Sequence, residues 1–139
     1  MSNISFELRR TVEARAKGRC EYCGLSQEGQ EATFHIDHII PSSSGGRTEP
    51  DNLALACVSC SLRKAARQSA IDTVSEEEVH LFSPRHDSWI EHFRWDGVRV
   101  VGITPIGRAT CDALQMNRRI ILAIREEETF LGRHPHVQV

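Results

Sequence analysis

A chain of 139 residues has the length of one ordinary domain, and its formal net charge of −2 does not by itself mark a nucleic-acid-binding protein. No apolar run approaches the ~20 residues that cross a membrane, and the first ten residues lack the apolar core of a signal peptide. We therefore expect a cytoplasmic protein, whose thiols stay reduced, so that paired cysteines act as metal ligands.

The first half of the chain predicts short elements arranged around two cysteine pairs. Phe6, Leu8 and Val12 form a partial apolar stripe, and Gly18 is a usual helix stop. In chain order we expect a helix over 5–17, a knuckle over 20–24, a strand over 33–40, a loop over 41–46, a turn over 49–52, an approach to the second knuckle over 53–56 and a helix over 61–69.

The second half predicts a strand followed by two helices. The run 75–84 gives no firm prediction, whereas branched residues over 98–103 favour a strand. Thr104-Pro105 is a helix start, because Thr caps a helix and Pro fits its first turn. That helix continues to residue 116, and Asn117 is expected to cap a last helix that ends near residue 130. An aromatic cluster is expected in the core, with stacking on bases as the alternative: Trp89, Phe93 and Trp95.

Two Cys-x-x-Cys pairs carry the strongest chemical signal in the sequence. Each pair can grip a metal from a tight turn, because the two-residue gap brings both sulfurs to one side. Together they predict the four thiolates of a tetrahedral structural zinc site, from Cys20, Cys23, Cys57 and Cys60. A closed site of this kind has no open position, so this zinc is not the catalyst. Two metal-free dithiols are the alternative, which is disfavoured because no thioredoxin-like βαβ pattern surrounds either pair.

Between the two pairs lies the segment His35-Ile36-Asp37-His38. On a strand, His35 and Asp37 share one face and His38 lies on the other, although a bend at the strand end would let Asp37 and His38 serve one site. Aspartate offers a hard oxygen to Mg²⁺ or Mn²⁺, and histidine takes a proton from water near neutral pH. From these two residues alone, a hydrogen-bonded Asp–His pair in a turn remains the simpler interpretation.

Six short elements follow one another in a fixed order: Cys20/Cys23, Asp37-His38-Ile39-Ile40-Pro41, Gly45-Gly46, Asp51-Asn52-Leu53, Cys57/Cys60 and Lys64. This order resembles the HNH endonuclease family with a four-cysteine zinc site. The segments 81–85, 89–93 and 102–110 are similar to the C-terminal extension of one bacterial branch of that family. The resemblance implies an α+β fold, in which a ββα-metal finger stapled by zinc carries an N-terminal helix and a C-terminal strand and helix extension. The nuclease core would cover 1–70, and the extension over 71–139 would pack on it.

The resemblance also implies an activity and the residues that perform it. The chain would be a metal-dependent endonuclease that hydrolyses phosphodiester bonds in DNA, with double-stranded DNA as the expected partner. His38 matches the general base that activates water, and Asp37 matches the first ligand of a catalytic Mg²⁺ or Mn²⁺. Asn52 matches the central asparagine that ties the loop and orients the histidine, although a polar turn residue is its simpler interpretation.

One position departs from the family pattern. The residue after the last zinc cysteine is usually Asn or His and completes the catalytic metal site, but here it is Ser61, a poorer ligand. Ser61 can still hold Mg²⁺, a water can replace it, or the site is weakened. His35 lies on the same predicted face as Asp37 and would assist the metal, with a packed or solvent-facing histidine as the safer interpretation.

Three basic residues follow the second cysteine pair and are expected either to contact DNA phosphates or to form a solvated helix face: Arg63, Lys64 and Arg67. Besides the endonuclease, two other functions stay open. The first is a zinc-dependent DNA-binding module that has lost cleavage, which Ser61 supports. The second is a structural zinc domain for protein partners, which leaves Asp37, His38 and Asn52 unexplained.

Overall fold

The computed structural model describes residues 4–136 and divides the chain into two compact units. The finger unit comprises Met1–Gln68 and Ser83–His86, and the C-terminal unit comprises Ser69–Phe82 and Asp87–Val139. Helices and small antiparallel two-stranded sheets occur together, which confirms the α+β class. Within residues 4–136, no helix is both long enough and apolar enough to cross a membrane.

The finger unit begins with helix α1, Phe6–Arg15. Ser5 caps it by accepting a hydrogen bond from the Leu8 N–H at 3.1 Å, which fixes the predicted start. The helix ends before residue 17, because Lys17 and Gly18 both take positive φ values of 55° and 68°. The Arg15 guanidinium donates to the Leu53 carbonyl at 2.7 Å and ties the last turn to the start of the sheet.

Strands β1, His35–His38, and β2, Leu53–Ala56, pair antiparallel, with His35 opposite Ala56 and Asp37 opposite Ala54. Helix α2, Val58–Lys64, follows directly, so the chain has the strand-strand-helix order of a ββα finger. The helix predicted over 61–69 is therefore observed earlier in the chain, where it begins at Val58 and ends at Lys64. The Cys57 sulfur accepts from the Cys60 N–H at 3.4 Å, so the knuckle itself starts the helix, and Ala65 with φ 48° ends it.

In its residues up to 136, the C-terminal unit contains two antiparallel hairpins and three α-helices. The elements are β3, Ser69–Ile71; β4, Glu78–His80; α3, Trp89–His92; β5, Phe93–Asp96; β6, Arg99–Gly102; α4, Pro105–Leu114; and α5, Arg119–Phe130. Thr104 caps α4 by accepting from the Gly107 N–H at 3.0 Å, as Thr104-Pro105 predicts. The strands β3, β4 and β5 were not predicted from the sequence.

Aromatic and aliphatic side chains form the core of the C-terminal unit. The Phe93 ring lies 5.3 Å from Phe82 and 5.1 Å from Trp89, so Trp89 and Phe93 lie in the core as expected, whereas Trp95 is only half-buried. Asn117 is not the cap of α5, which the sequence had suggested. Its amide instead pairs with the Val100 backbone at 2.8 and 2.7 Å, because β6 leaves those groups without a strand partner on that side.

Candidate active site

The two cysteine pairs meet in the finger unit. One sulfur from each of the four residues lies within 4.8 Å of all the others, and every one of these side chains is buried: Cys20, Cys23, Cys57 and Cys60. Cys23 Sγ and Cys57 Sγ are 3.7 Å apart. A tetrahedral ion with Zn–S bonds of 2.3 Å separates its sulfurs by about 3.8 Å, so the cluster fits zinc.

The protonation chemistry of this cluster also fits a cation. Burial is the largest cause that raises the pKa of Cys20. Hydrogen bonds within the cluster, first with Cys20, raise the pKa of Cys60. A raised pKa means that the negative thiolate form is unfavourable in this environment without a compensating charge. Four buried thiolates therefore need a positive ion at their centre, and zinc supplies that charge. Because all four ligand positions are protein sulfurs, this site has no place for substrate or water.

Asp37 lies on β1 and is only 7% exposed. Tyr22, which stands between the first two cysteines, donates its hydroxyl to Asp37 Oδ2 at 2.7 Å. Lys64 places Nζ 3.2 Å from Oδ2 and 3.4 Å from Oδ1. Burial raises the pKa of the Asp37 carboxyl, and the nearby Lys64 and Tyr22 oppose that shift. The aspartate is thus held in one orientation by a phenol and an ammonium group.

Lys64 has an internal role. Its side chain is 2% exposed, and its ammonium donates to the carbonyls of His38 at 3.1 Å and Ile39 at 3.2 Å. An ammonium bound to two successive carbonyls and a carboxylate fixes the bend where β1 ends. The expected phosphate contact of Lys64 must therefore be corrected, because its charge is enclosed by the protein. Arg63 and Arg67 are exposed.

Asn52 holds the loop that follows the bend. Its Oδ1 accepts from the Ile40 N–H at 2.8 Å, and its Nδ2 donates to the Ile40 carbonyl at 3.0 Å and the Arg47 carbonyl at 2.9 Å. Gly46 completes this arrangement, because a Cβ at position 46 would collide with the Ile40 carbonyl. The Asn52 amide thus connects both ends of the loop through three hydrogen bonds, whereas a simple turn residue would bond only within its own turn.

His38 follows Asp37 at the end of β1 and is half-buried. Its Nε2 lies 2.9 Å from Thr48 Oγ1, so a hydroxyl from the same loop orients the imidazole. The imidazole also acts on the neighbouring carboxyl, since His38 makes a small contribution to lowering the pKa of Asp37. Asp37 and His38 are therefore electrostatically linked although they start on opposite faces of the strand.

Ser61 projects from α2 toward β1 and meets His35. Its Oγ lies 2.9 Å from His35 Nδ1, and both residues are half-buried. His35 shares the Asp37 face of the strand, as the alternation predicts. Ser61, the residue that departs from the family pattern, is thus hydrogen-bonded to the imidazole of His35, two residues before Asp37.

Tyr22 and Thr48 were missed by sequence reasoning. Tyr22 is 15 residues from Asp37 and Thr48 is 10 residues from His38, so no periodic pattern links either pair. The position of Tyr22 between two zinc ligands was a usable signal, because a side chain on such a knuckle is rigidly placed. Thr48 carried no comparable signal.

Comparison with known proteins agrees with this geometry. The family model described as HNH endonuclease matches residues 20–67. Neither a curated protein nor a solved structure matched the chain. The matched segment spans both cysteine pairs, the strand with Asp37 and His38, and helix α2. Residues 20–67, with their ββα finger and four-cysteine cluster, are thus similar to the HNH endonuclease family.

Proposed function

We propose that this chain is a metal-dependent DNA endonuclease that hydrolyses phosphodiester bonds in double-stranded DNA. One observation carries the proposal: in a segment that matches the HNH endonuclease model, Asp37 and His38 lie at the end of β1, where Lys64 binds three successive residues. A zinc module that only bound protein partners would not require a buried Asp–Lys–Tyr cluster next to a half-buried histidine.

His38 is the proposed general base. Its imidazole takes a proton from a water molecule, whose oxygen then bonds to phosphorus in line with the bond that breaks. The P–O3′ bond breaks, and the products are a 5′-phosphate and a 3′-hydroxyl, whose oxygen takes up a proton. Thr48 holds the imidazole in orientation through its hydroxyl, 2.9 Å from Nε2. Asn52 keeps the loop in place, so that the bend at the strand end persists.

Asp37 and Ser61 are the proposed ligands of the catalytic Mg²⁺ or Mn²⁺. A carboxylate oxygen and a hydroxyl are donors that these hard ions accept, so the residues fit the group. When bound, such an ion supplies Lewis-acid stabilisation of the charge that develops on the phosphate and leaving oxygens. Tyr22 and Lys64 fix the orientation of the Asp37 carboxylate, since both contact Oδ2.

Arg63 and Arg67 are the proposed contacts to the DNA backbone. Both are exposed on or just after α2, the helix that carries Ser61. Arg63 Nε donates to Ser59 Oγ at 3.3 Å, which leaves the far end of its guanidinium for phosphate. Each phosphate contact removed should lower the salt dependence of binding by about one unit of the log–log slope.

A second candidate function is a DNA-binding module that no longer cleaves. Ser61 favours it, because a neutral hydroxyl replaces the amide or imidazole expected at this position and is already bound to His35. Both candidates need the zinc cluster and the exposed arginines. They differ in whether the metal site next to Asp37 is functional.

A plasmid-nicking assay separates the two. Zinc-loaded protein is incubated with supercoiled plasmid and Mg²⁺, Mn²⁺ or EDTA, beside His38→Ala and, as a matched control, His86→Ala, whose side chain is exposed. Metal-dependent nicking that His38→Ala abolishes and His86→Ala retains supports the endonuclease. No nicking with any metal, together with its appearance in Ser61→Asn, would establish the binding module instead.

A further inference from the structure

We propose that His35 is a ligand of the catalytic divalent metal, together with Asp37 and Ser61, and that its imidazole makes the site prefer Mn²⁺ over Mg²⁺. This inference rests on the proposed function, because it assigns a further residue to the same metal site. The juxtaposition that points to it is a histidine two residues before the aspartate, bound to the serine that stands where a stronger ligand is expected.

The strand places His35 and Asp37 on one face. Alternate residues of a strand project to the same side, and two such residues are close enough to bind one ion. Their register partners on β2 are Ala56 and Ala54. Directly opposite residues of an antiparallel pair share a face, so the neighbours of His35 and Asp37 there are methyl groups. No larger side chain from β2 lies between the two proposed ligands.

The distance between His35 and Ser61 fits two ligands of one ion. Their atoms Nδ1 and Oγ are 2.9 Å apart. An octahedral ion with bonds of 2.1 Å separates adjacent ligand atoms by about 3.0 Å. The pair therefore has the spacing of neighbouring ligands before any ion is bound, and coordination would replace the hydrogen bond without moving either side chain far.

Asp37 presents the third donor in a fixed orientation. Its Oδ2 is held by Tyr22 at 2.7 Å and by Lys64 at 3.2 Å. The other oxygen, Oδ1, is held more weakly, with Lys64 Nζ at 3.4 Å. Oδ1 is therefore the oxygen that can turn to an ion at the least cost in existing hydrogen bonds.

The donor set decides which metal is preferred. Asp37 supplies one negative charge, which Lys64 already balances, whereas Ser61 and His35 are neutral ligands. Mg²⁺ binds through hard oxygens and charge, so a site with one balanced carboxylate holds it weakly. Imidazole raises affinity for Mn²⁺ and the later transition ions relative to Mg²⁺. His35 thus compensates for the weak hydroxyl at residue 61.

Electron paramagnetic resonance of Mn²⁺ tests this inference without measuring cleavage. Mn²⁺ is titrated into the zinc-loaded full chain, and the bound ion is examined for hyperfine coupling to ¹⁴N. We expect a nitrogen-coupled bound Mn²⁺ in the natural protein. In His35→Gln we expect loss of that coupling and a fall in Mn²⁺ affinity of about tenfold or more, at least the loss seen when an outer partner of a metal ligand is removed.

Two matched histidine variants identify the nitrogen. His38→Ala removes the proposed base and His86→Gln removes an exposed imidazole, and both should retain the ¹⁴N coupling. Zinc content and a melting curve establish that each variant is folded. If His35→Gln does not fold, the natural protein decides alone, because bound Mn²⁺ without nitrogen coupling overturns the inference.

The outcomes separate this inference from the proposed function. Nicking by the natural protein, with Mn²⁺ affinity within twofold in folded His35→Gln, overturns the role of His35 and leaves the nuclease standing. Mn²⁺ bound through His35 without nicking under any metal overturns the nuclease instead. Nicking that needs Mn²⁺, and that shifts toward Mg²⁺ in Ser61→Asn, supports both.

Discussion

The two units of the chain are stabilised by different kinds of core. The centre of the finger unit combines apolar side chains such as Phe34 and Leu55 with four buried cysteines and the buried ion pair of Asp37 and Lys64. The centre of the C-terminal unit is built from rings and aliphatic side chains such as Phe82, Trp89 and Phe93. A polar core is stable only when every member keeps its partners, whereas an apolar core loses stability in proportion to the volume removed.

The comparison explains why the candidate site lies in the finger unit. Buried charges and thiolates hold a few atoms in fixed directions, which is what a metal site and a general base need. The C-terminal unit also contains ion pairs, such as Arg133 with Glu128 and the contact of Asp72 with Arg108, at 2.9 Å for both Nε and Nη2. That pair closes a turn, because Asp72 also accepts from Ser75.

Loss of zinc should produce the largest difference between the units. Cys57→Ser removes one of the four zinc ligands, and a strong chelator removes the ion, whose binding contributes about 10 kcal/mol or more, so the finger unit should unfold. Hydrogen exchange read peptide by peptide should show protection lost over 20–64 and retained in helices α4 and α5. Cys111→Ser is the matched control, since Cys111 lies outside the cluster. Equal loss of protection in both units would show that the polar core of one supports the other.

Removal of the buried ammonium should be the next largest effect. Lys64→Met leaves Asp37 without its cation, and breaking a buried pair in this way costs about 3–5 kcal/mol. Denaturant unfolding measures the change. The double variant Asp37→Asn with Lys64→Met should recover part of the loss, because no charge is then buried alone. Arg63→Met, at an exposed position of the same helix, should change the free energy of unfolding little. A Lys64→Met protein as stable as the natural one would contradict the internal role.

A single added methyl group at Gly107 should destabilise the C-terminal unit, because the backbone is closely packed there. In Gly107→Ala the added Cβ would collide with the His92 carbonyl, where α4 passes close to the end of α3. Overpacking of this kind costs about 1–3 kcal/mol. Gly132→Ala has open space and only an unfavourable φ of 76°, so its cost should be smaller. Thermal melting of both variants compares them, and an unchanged midpoint for Gly107→Ala would contradict the close packing.

The smallest predicted effect appears only in acid. The Arg108 guanidinium is the largest cause that holds the pKa of Asp72 well below its usual range. A carboxyl with a lowered folded-state pKa stabilises the fold fully above its unfolded value of about 3.9 and progressively less as pH falls below it. The C-terminal unit should therefore weaken below about pH 4. Asp72→Asn should flatten that pH dependence, as measured by unfolding at several pH values, while Asp112→Asn, at an exposed carboxyl, should not.

Local spacing predicted the parts of this protein whose chemistry is local. The two-residue gaps of Cys20/Cys23 and Cys57/Cys60 predicted the cluster, which the structure confirms. Thr104-Pro105 predicted the start of α4 for the same reason, since a cap acts within one turn. The prediction was wrong for α2, because the Cys57 sulfur acts as a cap and no sequence rule assigns that role to a metal ligand.

Contacts between distant residues were decided by the tertiary structure. Lys64 and Arg63 carry the same charge and are neighbours in the sequence. Their residue types do not show that Lys64 is buried against Asp37, 27 residues away, while Arg63 is exposed. The pairing of Ser61 with His35, 26 residues away, has the same origin. Charge and donor type can be read from a residue, but the partner that a side chain meets depends on how strand and helix pack, and that packing minimises the free energy of the whole unit.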